Sequence, residues 1–218
     1  MGHHGEMKTA LPGPPPERMI VYVDGFNLYN GLHAASGRSM LWLDLVALAS
    51  SLRPTQQLVK VKYFTAPVLD DPGAQSRQAH YIAALEAKHP HRIDVIQGRY
   101  QQKQVWCRTC GNKYTTYEEK ETDVNIAVSL VSDAAMQAMT TALLISGDSD
   151  LAPAVRAARR LRPSLFSVAA FPPKRKSKEL QRLMPASFVL GSGRIKAAQL
   201  PDSFTEGTST FQRPVHWR

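Results

Sequence analysis

Five consecutive apolar residues, Met19-Ile-Val-Tyr-Val23, run directly into Asp24-Gly25. A strand that alternates polar and apolar residues can leave one face in water, but a strand that is apolar at every position needs cover on both. That requirement points to a parallel sheet with helices packed on its two faces. The rest of the chain agrees. Residues 41–52 carry apolar positions at helical spacing and stop before Arg53-Pro54. Residues 58–65 alternate as a strand, 74–88 read as a helix, and 93–97 as a strand. Residues 122–139 form a long amphipathic helix, followed by a strand at 141–145, a helix at 150–161 and a strand at 164–170. A short helix ends at 180–184, and 188–190 forms a last strand. Strand–helix alternation of this kind predicts an α/β fold with right-handed crossovers and a mainly parallel central sheet.

The two ends read differently. Residues 1–17 hold four Pro and three Gly without periodicity and are expected to be a disordered leader. The leader lacks the apolar run of about 7–15 residues that a signal peptide carries. No segment approaches the roughly 18 apolar residues of a membrane span. A soluble, cytoplasmic protein is expected. Residues 191–218, after the Gly191-Ser-Gly193 hinge, read as a loosely packed C-terminal tail, leaving residues 18–190 as the folded domain.

Open α/β sheets bind ligands at the carboxyl ends of their strands, and acids collect there in this sequence. Asp24 directly follows the first strand. Asp148 lies three residues after Ile145, in Ser146-Gly-Asp-Ser-Asp150, and Asp150 opens the next helix. Asp123 sits in the first turn of the long helix, behind Thr122 as an N-cap. Each alone has an ordinary explanation, as a helix cap or a turn residue. Together, unpaired carboxylates in one cleft repel each other, and a hard divalent cation relieves the repulsion. Mg²⁺ or Mn²⁺ accepts carboxylate oxygens, keeps several waters, and supports phosphodiester hydrolysis with one or two ions. Asn27 stands where it orients a metal-bound water, touches phosphate, or caps a helix. Ser146 and Ser149 flank Asp148, where a hydroxyl braces a carboxylate, donates to a phosphate, or satisfies turn backbone.

The net charge is +9 and the pI about 9.7. That balance suits a polyanionic partner. Lys174 and Arg175, in a basic loop after Pro172-Pro173, are candidate phosphate contacts, with a solvated loop as the competing account. The only two cysteines, Cys107 and Cys110, are too few for a disulfide framework. Trp106-Cys-Arg-Thr-Cys-Gly-Asn-Lys-Tyr114 resembles half of a zinc ribbon, expected as a hairpin insertion at about residues 101–117. Zinc at Cys107 and Cys110 would need two more ligands. His89, His91 or a second subunit's cysteine pair are the candidates, against a metal-free turn or a redox-sensitive dithiol. Lys103, Arg108 and Lys113 with Trp106, Tyr114 and Tyr117 form a pattern suited to a hairpin that guides single-stranded RNA beside the cleft, or else to one whose aromatics pack on the domain.

Three blocks carry a resemblance: Val21-Tyr-Val-Asp-Gly-Phe-Asn-Leu-Tyr29, Tyr117-Glu-Glu-Lys-Glu-Thr-Asp-Val-Asn-Ile-Ala127, and Leu144-Ile-Ser-Gly-Asp-Ser-Asp-Leu-Ala-Pro153. They are similar, in order and spacing, to the signature blocks of the NYN domain family, a branch of the PIN-like nucleases close to the bacterial LabA group. The resemblance covers residues 18–190. It implies a PIN-like three-layer α/β/α sandwich and a Mg²⁺- or Mn²⁺-dependent ribonuclease. Asp24, Asp123, Asp148 and Asp150 fall on the family's acidic positions and Asn27 on its amide position. The expected function is hydrolysis of single-stranded RNA by an endoribonuclease. The alternative is an RNA-binding or protein-interaction module with a weakly active or inactive cleft. A phosphatase of the haloacid-dehalogenase type is disfavoured, because that chemistry wants an Asp where Phe26 stands. A C₂ homodimer is the base-rate expectation for assembly.

Overall fold

In the computed structural model, β1 (Arg18–Asp24) is buried along its length except at Arg18. The structure describes residues 17–218, apart from the side chains of residues 116–119. The expected leader therefore lies outside the described residues save for Glu17, whose carbonyl accepts from the Gln57 amide at 2.8 Å.

Around β1 the sheet is six-stranded and parallel throughout. Its order is β3 (Ile93–Gln97), β2 (Gln57–Thr65), β1, β6 (Thr141–Ile145), β7 (Phe166–Phe171), β8 (Phe188–Val189). The period-2 geometry of β1 divides its apolar run between two cores. Met19, Val21 and Val23 face one core with α1 (Gly25–Ser36), α2 (Leu45–Leu52), α3 (Pro72–Lys88) and α7 (Ser192–Ala197). Ile20 and Tyr22 face the other, with α4 (Thr122–Ala135), α5 (Ala152–Leu161) and α6 (Lys178–Leu183). The result is the three-layer α/β/α arrangement expected of a PIN-like sandwich.

A polar tie crosses the second core. Asp133 of α4 accepts from the Tyr22 hydroxyl and from Lys62 Nζ of β2, each at 2.6 Å. Burial first, and then the bond to Asp133, pushes the Tyr22 phenol well above its ordinary value. The helix that carries Asp123 is thereby pinned to β1 and β2.

Several expected boundaries shift. The helix read from residue 41 begins at Leu45, because Asp44 accepts from the amides of Val46 and Ala47 at 3.0 and 2.8 Å and starts the helix there. The helix read to residue 139 ends at Ala135. Gln137 adopts φ +54°, and Met139 turns into the core instead. Thr122 is not the N-cap of α4. Glu121 occupies that place at φ +80° without a side-chain cap bond, and Thr122 is the buried first helical residue.

Residues 191–218 are not loosely packed. They form α7, a hairpin of β9 (Ser203–Glu206) and β10 (Ser209–Gln212), and a closing turn at Val215–Trp217. Ile195, Ala198, Leu200, Phe211 and Trp217 are buried in the first core. The Trp42 indole donates to the Pro201 carbonyl at 2.8 Å, and the Asp44 amide donates to the Ala198 carbonyl at 2.8 Å. The elements of this segment have six residues or fewer, too short to show a period.

Candidate functional site

The site forms where β1 and β6 end. Their register sets Val23 beside Ile145, so the next residues, Asp24 and Ser146, emerge side by side at the carboxyl edge. Asp24 is 4% exposed and caps α1, its Oδ1 accepting from the Asn27 amide at 3.0 Å. Its Oδ2 accepts from the fully buried Ser146 hydroxyl at 2.7 Å. Ser146 Oγ in turn accepts from the Asp148 amide at 3.0 Å. The Asn27 side-chain carbonyl accepts from the Gly147 amide at 2.9 Å. Asn27 is therefore not a cap. Its side chain ties α1 to the turn after β6.

Asp148 starts the 3₁₀ turn Ser149–Leu151, with Oδ1 accepting from the Asp150 amide at 2.9 Å. Asp150 and Ser149 are exposed at that turn, and Asp123 is exposed in the first turn of α4, which packs against it. Asp24 and the Asp148 turn are thus locked together through Ser146, while Asp123 and Asp150 stand on two adjoining element starts. Among the described residues, no three His, Cys, Asp or Glu side chains gather closely enough to hold a metal ion. The expectation that the four acids would converge in one metal-binding cleft as the chain folds does not appear among the described residues. The donor chemistry remains that of a hard cation: carboxylate oxygens without thiol or imidazole.

The basic loop comes to the same turn. A Cβ at Gly147 would collide with the Arg175 carbonyl, and one at Gly31 would meet Pro172 Cβ at 2.7 Å and the Pro173 carbonyl at 2.8 Å. Only glycines let α1, the Gly147 turn and the loop at residues 172–175 approach so closely. Lys174 donates its ammonium to the Ala34 carbonyl at 2.6 Å, near the end of α1, whereas Arg175 is exposed.

Beside Asp24 lies a cavity of about 640 Å³. Phe26 and Tyr29 of α1, Tyr63 of β2, Tyr81 of α3, Tyr100 and Trp217 supply its rings, and Arg38, Arg77, Asp70 and Asp71 bring charge of both signs to the lining. The Tyr63 phenol is pushed up to about 12, chiefly by burial and also by the Asp24 charge, against a bond with Thr65 that pulls it down. The cavity had no expression in sequence spacing. Its rings come from segments far apart in the chain, and the only local hint was the Phe26–Tyr29 pair directly after Asp24.

The Cys-x-x-Cys segment joins β4 (Arg99–Trp106) to β5 (Lys113–Lys120), an antiparallel hairpin slightly longer than expected. Both thiols are free. The Cys107 thiol is lowered to about 7, first by the Cys110 amide and then by the Thr109 amide. His89 is not beside them: it holds Asp44 at 2.8 Å. Trp106 and Tyr114 are exposed, with Lys113 Nζ 5.5 Å from the Trp106 ring centre. No helix among the described residues is long and apolar enough to cross a membrane.

The fold is similar to a crystal structure of a protein of unknown function from Vibrio parahaemolyticus, with a TM-score of 0.58 and 19% identity over 84% of this chain and 98% of that one. A Pseudomonas putida protein named 6-hydroxy-3-succinoylpyridine 3-monooxygenase HspA is 28% identical over 66% of this chain and 56% of its own length, so the present chain spans little more than half of that relative. The NYN domain model matches residues 18–190, most of the α/β/α sandwich and all of the acidic edge, and the chain belongs to the NYN domain family.

Proposed function

We propose that this protein is a divalent-metal-dependent ribonuclease whose reaction takes place at the carboxyl edge of β1 and β6. One observation carries the reading: a buried carboxylate, Asp24, is held by Ser146 and roped through Asn27 to the turn that bears Asp148 and Asp150. Burying a carboxylate is costly unless its oxygens are occupied. Such an arrangement has a clear purpose when the carboxylate must present a fixed oxygen outward. Family membership supports the same chemistry, since NYN nucleases generally depend on a divalent metal.

In this reading Asp24 and Asp148 hold a Mg²⁺ or Mn²⁺ ion, with Asp123 and Asp150 completing the acidic edge directly or through water. When bound, the ion supplies Lewis acidity toward a phosphodiester oxygen and makes a bound water more acidic. The protein's own share is orientation. Ser146 fixes the Asp24 rotamer, and Asn27 sets the distance between α1 and the Asp148 turn. Ser149 faces solvent beside both acids, and Arg175 offers a guanidinium to a flanking phosphate. Lys174 contributes less, because the end of α1 already holds its ammonium. The positive net charge draws the polyanion, and single-stranded RNA is the substrate form that an open edge accepts best.

The test uses labelled single-stranded RNA with Mn²⁺, with chelator, and with an Asp148→Asn variant. Metal-dependent cutting that the variant lacks is the expected result. Binding without cutting by the wild type would leave an RNA-binding module with an inactive cleft and reject the enzyme.

The aromatic cavity supports a second reading, a small aromatic acid as ligand. Six rings suit a planar aromatic ligand, Arg38 and Arg77 offer cations to its carboxylate from a lining that also holds Asp70 and Asp71, and the Pseudomonas putida relative is named for a succinoylpyridine. A rise in melting temperature with 6-hydroxy-3-succinoylpyridine, abolished by Arg77→Ala, is expected on this reading. No shift at millimolar ligand would dismiss it.

A further inference from the structure

The tip of the β4–β5 hairpin is a closed turn that carries both cysteines of the chain. The innermost pair of the ladder is Trp106 and Lys113, and the six residues between them close on themselves. The Cys107 amide donates to the Asn112 carbonyl at 2.8 Å, and the Gly111 amide donates to the Cys107 carbonyl at 2.9 Å. Gly111 stands at φ +71°, a conformation that costs glycine little and other residues more.

Structural zinc takes four ligands in a tetrahedron. The whole chain holds two cysteines. His89 is committed to Asp44, and among the described residues no third His, Cys, Asp or Glu joins the pair. Among the described residues nothing completes the ligand set. A second copy supplies the missing pair about a two-fold axis, the symmetry in which one surface meets itself.

We propose that two copies of this chain join tip to tip through one Zn²⁺ held by Cys107 and Cys110 of each. The charge balance favours it. Four thiols lose four protons as Zn²⁺ binds, leaving a centre of net charge −2. Arg108 and Lys113 of each copy place four cations around that centre, which without it would repel each other. The rings favour it too: Trp106 is 66% exposed and Tyr114 53%, and both flank the cysteines, so a facing copy gives them apolar surface to cover. The site is separate from the acidic edge and does not rest on the nuclease reading. Because β5 ends one residue before α4 starts, however, a joined hairpin also fixes the approach to Asp123.

The experiment uses the full chain under reducing conditions, with zinc content by mass spectrometry and molar mass by light scattering. One zinc per two chains and a mass twice 24.2 kDa are expected. Chelator should return the protein to the monomer, and added Zn²⁺ should restore the dimer. Co²⁺ in place of zinc should give the intense sulfur-to-metal absorption and visible bands of a tetrahedral four-thiolate site. Cys107→Ser and Cys110→Ser should each remain monomeric with added Zn²⁺ and keep the wild-type melting temperature, since the tip lies outside both cores. If either variant loses its fold, the chelation and cobalt measurements on the wild type still decide. One zinc per monomer, a dimer that survives chelation, a dimer that only reductant dissolves, or a monomer unmoved by added Zn²⁺ would each overturn the proposal.

Discussion

Ser146 donates its hydroxyl to Asp24 Oδ2 at 2.7 Å, across 122 residues of sequence, and that one bond joins the two halves of the acidic edge. It exists because parallel pairing of β1 with β6 puts Val23 opposite Ile145. The same oxygen of Ser146 receives the Asp148 amide.

Replacing Ser146 with Ala removes a donor to a buried carboxylate and an acceptor for the Asp148 amide. The expected loss is about 1.5–3 kcal/mol of stability, read by urea denaturation. RNA cleavage should fall by roughly ten- to a hundredfold through misplacement of Asp24. Asp24→Asn separates the two effects: Asn caps helices as well as Asp, so the fold should persist while metal-dependent cutting disappears. Cleavage at the wild-type rate by Asp24→Asn would remove Asp24 from the chemistry.

Gly147→Ala should be more damaging than its size suggests. The added methyl meets the Arg175 backbone rather than a flexible side chain, so the turn and the basic loop must part. A loss of about 1–3 kcal/mol is expected, together with weaker RNA binding. A variant with unchanged melting temperature and affinity would show that the loop contact is unimportant.

The Tyr22–Asp133–Lys62 tie predicts a non-additive pair. Asp133→Ala leaves the Lys62 ammonium, 19% exposed, without its partner and should cost about 3–5 kcal/mol. Adding Lys62→Met to Asp133→Ala should recover much of that loss, because no charge is then stranded. Chemical denaturation of the singles and the double completes the cycle, and simple additivity would argue against coupling.

Asp44 makes stability depend on pH. Burial by itself would raise its carboxyl, but the His89 bond, the Ala47 amide and the charges of His89 and Lys88 together hold it below its ordinary value of 3.8. A carboxyl lowered in the folded state adds stability that is fully present above its ordinary value and is lost as pH falls through the folded one. Melting temperature should therefore drop more steeply in the acid range for the wild type than for Asp44→Asn. Equal slopes below about pH 5 would mean that the carboxylate is not stabilising.

Trp217 ties the C-terminal segment into the first core beside Trp42 and Tyr81, with ring centres 6.2 and 5.7 Å away. Trp217→Ala should cost about 3–5 kcal/mol, as the closing residue of a cavity wall. A truncated chain ending at residue 202 that melts at the wild-type temperature would restore the view of this segment as an appendage.

The sequence by itself determined the layering of this protein. An uninterrupted apolar β1 demands cover on both faces, helical periods between strands supply it, and acids directly after β1 and β6 must lie at the carboxyl edge. These are consequences of period and position within one element, so local residues suffice to state them. Tertiary structure alone decided the rest. Register paired Asp24 with Ser146 and turned Asn27 from a cap into a cross-link. Chain crossing delivered Trp217 to the cavity and Arg175 to Gly147. His89 went to Asp44 rather than to the cysteines, and Asp123 and Asp150 remained on separate element starts. Such relationships depend on which distant segments share a few ångströms, and no periodicity within a single segment records that.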